Sequence, residues 1–322
     1  MARYIGRKAL MAVVTISIVF IINFILMRAA PGDPISIMVG GVENVNPDLR
    51  AALEERYGFN EPIFTQLMIY LRQVLSGDLG TSYIYNRPVT DMIGGRLSQT
   101  ISIGLLSAVI ALFIGTAMGV ISARREGGLI DNICSLFAYV FSAVPTFWLA
   151  LMLIIIFASN LGLFPSFGMS SLRANYTGLA MVRDHLWHMT LPLTTLVLVT
   201  VPSYYRIAKT SVLQVINEDF VATFRAAGMK EGRIFYKYVF RNAILPTITI
   251  FSITMAYLVT GVVFIEIVFS WPGMGSLMIQ AINTRDYPTL MGIYLMTSIS
   301  IAAVMILVDL VYAALDPRIR LR

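Results

Sequence analysis

The chain has 322 residues, of which 57% are hydrophobic and only 13% are charged, and its formal net charge is +6. Soluble domains usually carry about 25% charged residues, so this composition excludes an ordinary soluble globular protein and indicates a membrane protein. The single cysteine, Cys134, excludes a disulfide framework or a cysteine metal cluster within the chain.

Six apolar runs follow one another along the chain, each long enough for a helix to cross a hydrocarbon core of roughly 30 Å. The first run follows the basic start MARYIGRK. It is longer than the apolar core of a signal peptide, about 7–15 residues, so we expect an uncleaved span. The sequence therefore predicts six transmembrane helices, over residues 9–27, 101–122, 133–159, 186–207, 247–270 and 290–314.

The long connection between the first two runs, residues 28–97, predicts two further helices. The first begins at Pro47 and stops at Gly58, and the second runs from Pro62 to about Ser76. The second has apolar residues at three- and four-residue spacings, which is typical of an amphipathic helix. This apolar stripe either packs the connection onto the helix bundle or forms a platform for an external partner.

Lysine and arginine are concentrated on one set of alternate connections. Most of the 24 lie in the N-terminal segment, at residues 124–125, in residues 206–246 and in the tail. Cytoplasmic loops are rich in these residues, so we expect both termini and residues 206–246 in the cytoplasm and residues 28–97 outside. The net positive charge then requires no nucleic-acid partner.

Four polar residues within or beside the apolar runs are candidate functional groups. Glu266 and Asp309 are acids inside two runs, where a charge near mid-bilayer costs about 2.5–3.5 kcal/mol and indicates function or pairing. Both lie near the ends of their runs, where a structural pairing is the alternative. His185 and His188, three residues apart, form either half of a metal site or a pair of interfacial histidines beside a tryptophan.

Two glycines in the second run, Gly115 and Gly119, have the GxxxG spacing that permits close packing of helices. We therefore expect a structural role for both.

A charged segment, residues 217–246 and called the bracket below, interrupts the apolar pattern between the fourth and fifth runs. Asn217 is a good N-cap, Gly228 ends a helix of about ten residues, and a second helix is expected from about Lys230 to Ala243. The second helix carries a basic stripe of Lys230, Arg233, Lys237 and Arg241. From these residues alone, a rigid cytoplasmic bracket and an interfacial helix on anionic lipid both remain open.

Several sequence motifs of enzymes are missing. The chain has no G-x-x-x-x-G-K-[ST] phosphate loop, no H-E-x-x-H and no G-x-S-x-G. No ladder of buried acids indicates a proton relay. We therefore expect neither an enzyme, nor a bound cofactor or metal, nor a self-powered transporter.

The bracket sequence DFVATFRAAGMKEGRIFYKYVFRNAILPTIT resembles the "EAA" loop of bacterial ABC importer permeases of the dipeptide/oligopeptide/nickel group. Ala222 stands where the loop's name-giving glutamate would be. The step from Gly228 to Pro246 is longer than in sugar-type permeases and favours the peptide group. Other segments resemble the first-named permease of this group, namely APGDP, SGDLGTSY, RPVTDMIGGRLSQT, FSWPGMGSLMIQAINTRDYP and LDPRIR.

The resemblance implies an all-α integral membrane protein with six transmembrane helices and the type I ABC importer permease fold. Residues 1–97 would form the first span and a helical extracellular loop, residues 98–313 the permease core with a coupling loop at 210–246, and residues 314–322 a cytoplasmic tail. The implied partners are a second homologous permease, two ABC ATPase subunits, an extracellular solute-binding protein, a peptide substrate and membrane lipid. The implied location is the bacterial cell membrane.

The resemblance also implies that the bracket couples ATP hydrolysis by the partner subunits to the translocation path. The residues implied in this contact are Arg225, Ala226, Ala227, Gly228, Met229, Lys230, Glu231 and Arg233. Candidate hinges are Pro145, Pro192, Pro202, Pro246 and Gly261, with kinked packing as the alternative. Two other functions remain open: the same machine importing nickel or another small solute, for which the histidine pair is the local hint, and a non-transporting membrane scaffold.

Overall fold

The computed structural model describes most of the chain, and the regular elements in that part are helical. The described residues are 2–29, 35, 47–57, 60–171, 176–258 and 262–315. The helices are α1 (Ala2–Ala29), α2 (Pro47–Tyr57), α3 (Ile63–Leu75), α4 (Val89–Arg124), α5 (Leu129–Ala143), α6 (Thr146–Leu153), α7 (Leu179–Ile216), α8 (Asp219–Ala226), α9 (Glu231–Ile234), α10 (Phe240–Ala243), α11 (Leu245–Leu258), α12 (Val263–Val268), α13 (Met274–Thr284) and α14 (Tyr287–Leu315). Two stretches with wider, π-type turns are Ile154–Asn160, which continues α6, and Phe235–Val239, which joins α9 to α10.

Four or five of the six predicted spans are recognisable among the described residues, according to whether a bent helix pair counts as one span. Four helical stretches are long and apolar enough to cross a membrane: Gly6–Ala29, Val89–Arg124, Leu179–Ile216 and Tyr287–Ile306. A further helix pair, α5 and α6 with its π-type continuation, is apolar enough to cross but is bent by 102° at the break that contains Pro145, as in a broken span or a re-entrant loop. The remaining run, 247–270, comprises α11 and α12, and the residues 259–261 between them lie outside the described part. The count of six therefore stays a prediction.

Some predicted features fall outside the described residues. They are the helix stop at Gly58, the break at Gly261, the side chain of Asp309, the APGDP segment and most of the tail 314–322.

Residues 1–98 and 273–322 make up one of two compact units of the chain. In this unit α1 packs along α14. The unit has an apolar core to which α1, α4, α13 and α14 contribute, formed by Phe20, Leu79, Val89, Ile93, Met274, Leu277, Ile293 and Leu295.

Both helices predicted in the 28–97 connection are confirmed, as α2 and α3. The inner side of α3 packs against the core just described through Leu67, Tyr70, Leu71 and Val74. The Tyr70 ring is stacked on that of Phe20, with 5.1 Å between centroids. The packing interpretation of the α3 stripe is therefore confirmed for Leu67, Leu71 and Val74.

A buried carboxylate, Asp286, joins two segments of this unit that are far apart in sequence. The Ser82 hydroxyl donates to its Oδ2 at 2.6 Å, the Tyr83 backbone N–H donates to Oδ1 at 3.0 Å, and the Thr289 hydroxyl donates to Oδ2 at 2.6 Å. Asp286 and Thr289 are fully buried. A buried carboxylate is stable only when its oxygens accept such bonds, so Asp286 fixes the SGDLGTSY segment against the start of α14.

Residues 99–272 make up the second unit, in which α7 packs against α5, α6, α10 and α11. Two glycines of α4, Gly115 and Gly119, lie against α7 in this unit. A Cβ atom on Gly115 would lie 2.6 Å from Cβ of Tyr204, and one on Gly119 would lie 2.7 Å from the carbonyl oxygen of Tyr205. No side chain fits at these distances, so the close packing predicted from GxxxG is confirmed.

We expect Gly119→Ala to lower the apparent melting temperature of the detergent-solubilised chain, because the added methyl group meets the α7 backbone. The matched change Gly94→Ala, in the same helix, adds a Cβ that meets nothing within 4 Å. There the gain in helix propensity, about 1 kcal/mol, should leave stability unchanged or raised. Equal responses of the two variants would contradict close packing at Gly119.

Candidate functional site

The bracket begins with α8, directly after the end of α7. Its N-cap is Glu218, whose backbone is extended (φ −71°, ψ 148°). The predicted N-cap, Asn217, is wrong: Asn217 terminates α7, and its side-chain amide donates to the Leu213 carbonyl at 2.8 Å. The α8 helix consequently has eight residues, shorter than the predicted ten or so.

A Schellman motif closes α8 at Gly228. The Met229 N–H donates to the Phe224 carbonyl at 3.1 Å, and the Gly228 N–H donates to the Arg225 carbonyl at 3.0 Å. This motif requires a left-handed residue, and Gly228 has φ +74°. The helix stop predicted at Gly228 is confirmed, and the glycine is needed for its backbone conformation.

An ion pair spans this turn. Arg225 Nε donates to Glu231 Oε1 at 2.8 Å, and Arg225 Nη2 donates to Glu231 Oε2 at 3.4 Å. Both side chains are exposed, and the Glu231 carboxylate raises the pKa of Arg225 above its usual value. Exposed pairs are usually worth less than about 1 kcal/mol, so this one orients the two ends of the turn more than it stabilises them.

The second helical part of the bracket begins after Lys230, which is the N-cap of α9, and continues through Phe235–Val239 to the end of α10. The helix predicted from Lys230 to Ala243 is thus present, with wider turns in its middle. All four residues of the basic stripe are exposed, and Lys237 Nζ lies 5.7 Å from the centroid of the Tyr238 ring.

Below the bracket lies an apolar base. Its buried residues come from α4, α7 and the bracket itself, and they are Ala123, Val212, Val221, Ile234, Phe235, Val239 and Ala243. The guanidinium of Arg124, at the end of α4, lies 4.7 Å from the centroid of the Phe235 ring. By contrast, the corner is exposed from Arg225 to Gly228 and again from Lys230 to Arg233. The bracket therefore presents a small-residue corner on a rigid base.

Next to this base is an ion pair that the sequence did not predict, between the buried Asp131 carboxylate and Lys209, whose side chain is 21% exposed. Lys209 Nζ donates to Asp131 Oδ1, as does the Ser122 hydroxyl, and the Gly127 N–H donates to Oδ2 at 2.9 Å. The Tyr205 hydroxyl lies 3.0 Å from that of Ser122. The carboxylate has only 4% exposure and is fully satisfied. Asp131 and Lys209 lie just beyond the predicted runs, and no sequence spacing connects them.

Glu266 is fully buried within α12, where the Thr100 hydroxyl donates to its Oε1 at 2.7 Å. The Val262 N–H lies 3.4 Å from the same oxygen. These contacts, with a hydroxyl and a backbone amide, agree with the pairing alternative.

The histidines at the start of α7 make local contacts. His188 Nδ1 lies 2.8 Å from the carbonyl oxygen of Asp184, and the His185 ring lies 5.2 Å from that of Trp271. The Asp184 carboxylate accepts bonds from the Ser171 N–H and hydroxyl at 2.7 and 2.6 Å. Within the described residues, no group of three His, Cys, Asp or Glu residues could hold a metal ion.

The candidate hinge prolines occupy different positions in their helices. Pro145 is the N-cap of α6 at the 102° bend, Pro192 and Pro202 are inside α7, and Pro246 is the second residue of α11. Their role as hinges stays a prediction.

The apolar helices and the exposed bracket define a multi-pass membrane protein. The chain belongs to the family of inner membrane components of binding-protein-dependent transport systems, which residues 115–321 match, and residues 1–104 match the N-terminal part of such components. The resemblance seen in the bracket is therefore confirmed at the level of the family.

Two relatives align along almost the whole chain. The oligopeptide transport system permease protein AppB of Bacillus subtilis is 34% identical over 99% of both chains. The dipeptide transport system permease protein DppB of Alkalihalophilus pseudofirmus is 33% identical over 99% of this chain and all of its own. Among solved structures, a chain of the MetNI methionine ABC transporter shares the fold, with a TM-score of 0.53, 18% identity, and coverage of 70% of this chain and 96% of that one.

We expect Lys209→Met to destabilise the chain, because it leaves the buried Asp131 carboxylate without its cation; breaking a fully buried pair costs about 3–5 kcal/mol, and the partial exposure of Lys209 makes this an upper bound. The measurement is thermal unfolding in detergent. The double variant Asp131→Asn/Lys209→Met removes both charges and should melt at a higher temperature than Lys209→Met alone. A single variant as stable as the unmodified chain would contradict the ion pair.

Proposed function

We propose that this chain is the transmembrane subunit of an ATP-driven peptide importer. It forms half of the translocation path with a second, homologous permease, while two ATPase subunits hydrolyse ATP and an external solute-binding protein delivers the peptide. Family membership and the names of the two relatives support this proposal. The chain itself contributes no hydrolytic chemistry.

The structural observation that carries the proposal is the exposed corner of the bracket. Ala226, Ala227 and Gly228 expose a small surface that a groove on an ATPase subunit can enclose. The corner is held in one shape by the Schellman motif and by the apolar base, so a push on it moves the bracket as a body. The contact residues are Arg225 to Glu231, together with Arg233.

Coupling then requires a two-state element whose equilibrium the ATPase subunits bias. Closure of the nucleotide-bound ATPase pair moves the bracket, and Leu245 and Pro246 transmit that movement into α11. The prolines at positions 145, 192 and 202 are the places where the spans bend in response. Hydrolysis reverses the movement.

The proposed topology has six spans, with both termini and the bracket in the cytoplasm. Residues 247–270 supply the fifth span. The distribution of lysine and arginine supports this arrangement.

Cysteine labelling tests the topology in a Cys134→Ala background. We expect Glu61→Cys to react with a membrane-impermeant maleimide in intact cells, and Lys230→Cys to react only after permeabilisation, since both positions are exposed. Labelling of position 230 from outside intact cells would overturn the orientation.

Valine substitutions at two glycines test the coupling corner. At both Gly228 and Gly232 an added Cβ meets nothing within 4 Å, but only Gly228 has a positive φ. Gly228→Val both strains the turn and enlarges the corner. We expect it to reduce peptide-stimulated ATP hydrolysis and uptake at least tenfold in the assembled transporter, while membrane insertion stays intact. Gly232→Val should have a smaller effect.

A charge control separates docking by shape from binding to anionic lipid. Arg233→Gln combined with Lys237→Gln neutralises the middle of the basic stripe and should have a milder effect than Gly228→Val, because exposed ion pairs contribute little. Transport that survives Gly228→Val and collapses on neutralisation would reject the coupling corner in favour of a lipid-binding bracket.

A further inference from the structure

The outward side of α3 is divided into an apolar and a polar flank. Phe64, Met68 and Leu75 lie within about 40° of one another around the helix axis at 100° per residue. They form what we call the apolar flank. Phe64 and Leu75 are 71% and 79% exposed. The polar flank, centred roughly 100° further round the helix, consists of Thr65, Arg72 and Gln73, with Ile69 as its apolar member.

Contacts with α1 give the depth of α3 in the membrane. Lys8 and Arg28 are the charged residues nearest to the two ends of the apolar part of α1, and at 1.5 Å per residue they are about 30 Å apart, the thickness of the hydrocarbon core. Phe20 and Phe24 then lie roughly 12 and 6 Å below the Arg28 boundary. Tyr70, in the middle of α3, is stacked on both rings, at 5.1 and 6.5 Å between centroids.

The neighbouring surface of α1 at this depth is also apolar and exposed. It consists of Ile21, Ile22, Ile25 and Leu26. A transmembrane helix exposes such residues to lipid, and α3 contacts α1 at the same depth through Phe20 and Phe24. An interfacial amphipathic helix places its apolar side about 5–10 Å below the boundary between headgroups and acyl chains. The Tyr70 contacts, at roughly 6 and 12 Å, lie within this range and just deeper than it.

We propose that α3 is embedded in the leaflet at the Arg28 end of α1, with its apolar flank against lipid acyl chains. The polar flank faces the headgroups and water. In the proposed topology this is the outer leaflet, but the embedding requires only that α1 spans the membrane and goes beyond the transport function. The helix then serves as an interfacial anchor for the connection between the first two spans. An external protein would reach only its polar flank.

Nitroxide labels on α3 test this placement. Single variants Phe64→Cys, Met68→Cys and Leu75→Cys, in the Cys134→Ala background, are labelled and reconstituted with their co-purifying subunits in phosphatidylethanolamine/phosphatidylglycerol vesicles. Power-saturation spectroscopy then compares the accessibility of each label to dissolved oxygen, which partitions into lipid, and to chromium oxalate, which stays in water. At all three positions we expect oxygen accessibility to exceed that of chromium oxalate several-fold.

The matched control is Gln73→Cys on the polar flank of the same helix, where chromium oxalate should predominate. Because three positions report on the flank, failure of one variant to assemble leaves two measurements. Predominant chromium oxalate accessibility at Phe64 and Leu75 would overturn the embedding and show that the flank is open to water, as a docking surface for an external protein would be. That result would leave the proposed transport function intact, because the measurement does not involve transport.

Discussion

A carboxylate buried in a membrane protein must find its hydrogen-bond donors inside the protein. Among the described residues, three carboxylates meet that requirement, each with at least one partner far away in sequence. Asp131 is held by Lys209 and Ser122, whereas Glu266 accepts a bond from Thr100. In the other compact unit, Asp286 accepts its bonds from the segment around Ser82 and from Thr289. Each carboxylate would be costly to bury alone, so each one fixes the register of the helices or segments that satisfy it.

The bracket obeys a different constraint, since its corner is exposed and its polar groups can bond to water. Its shape depends on the backbone, through the left-handed Gly228, and on the apolar base below it. The ion pair at the corner orients the two ends of the turn but contributes little to the free energy of folding, because the Arg225 and Glu231 side chains are largely solvated. A partner that binds this corner therefore recognises it by shape complementarity more than by charge.

Hydropathy predicted where the chain crosses the membrane, but it could not predict how far the helices extend. The second predicted span begins at residue 101, whereas α4 already begins at Val89. The fourth predicted span ends at residue 207, whereas α7 continues to Ile216. Helical hydrogen bonds persist in water, so a helix has no reason to end where the apolar run ends. For the same reason Asn217 looked like the start of the bracket, although its amide is bonded to the last turn of α7. The turn at Gly228 was predictable because a left-handed stop leaves a local signal, whereas the partners of Asp131 and Glu266 depend on tertiary contacts.

The ion pair of Asp131 and Lys209 and the base of the bracket are built on the same short pieces of two helices. On α7, Lys209 and Val212 are three residues apart, so they lie on the same face of the helix, the first bonded to Asp131 and the second in the base. On α4, Ser122 donates to Asp131, and the next residue, Ala123, belongs to the base. A displacement of the bracket against α7 therefore reaches the ion pair within one helical turn. The pair resists such a displacement because separating its charges would leave Asp131 buried without a cation. Asp131 belongs to α5, and its partners Ser122 and Lys209 belong to α4 and α7. These bonds therefore favour movement of the bracket together with the three helices over movement of the bracket alone.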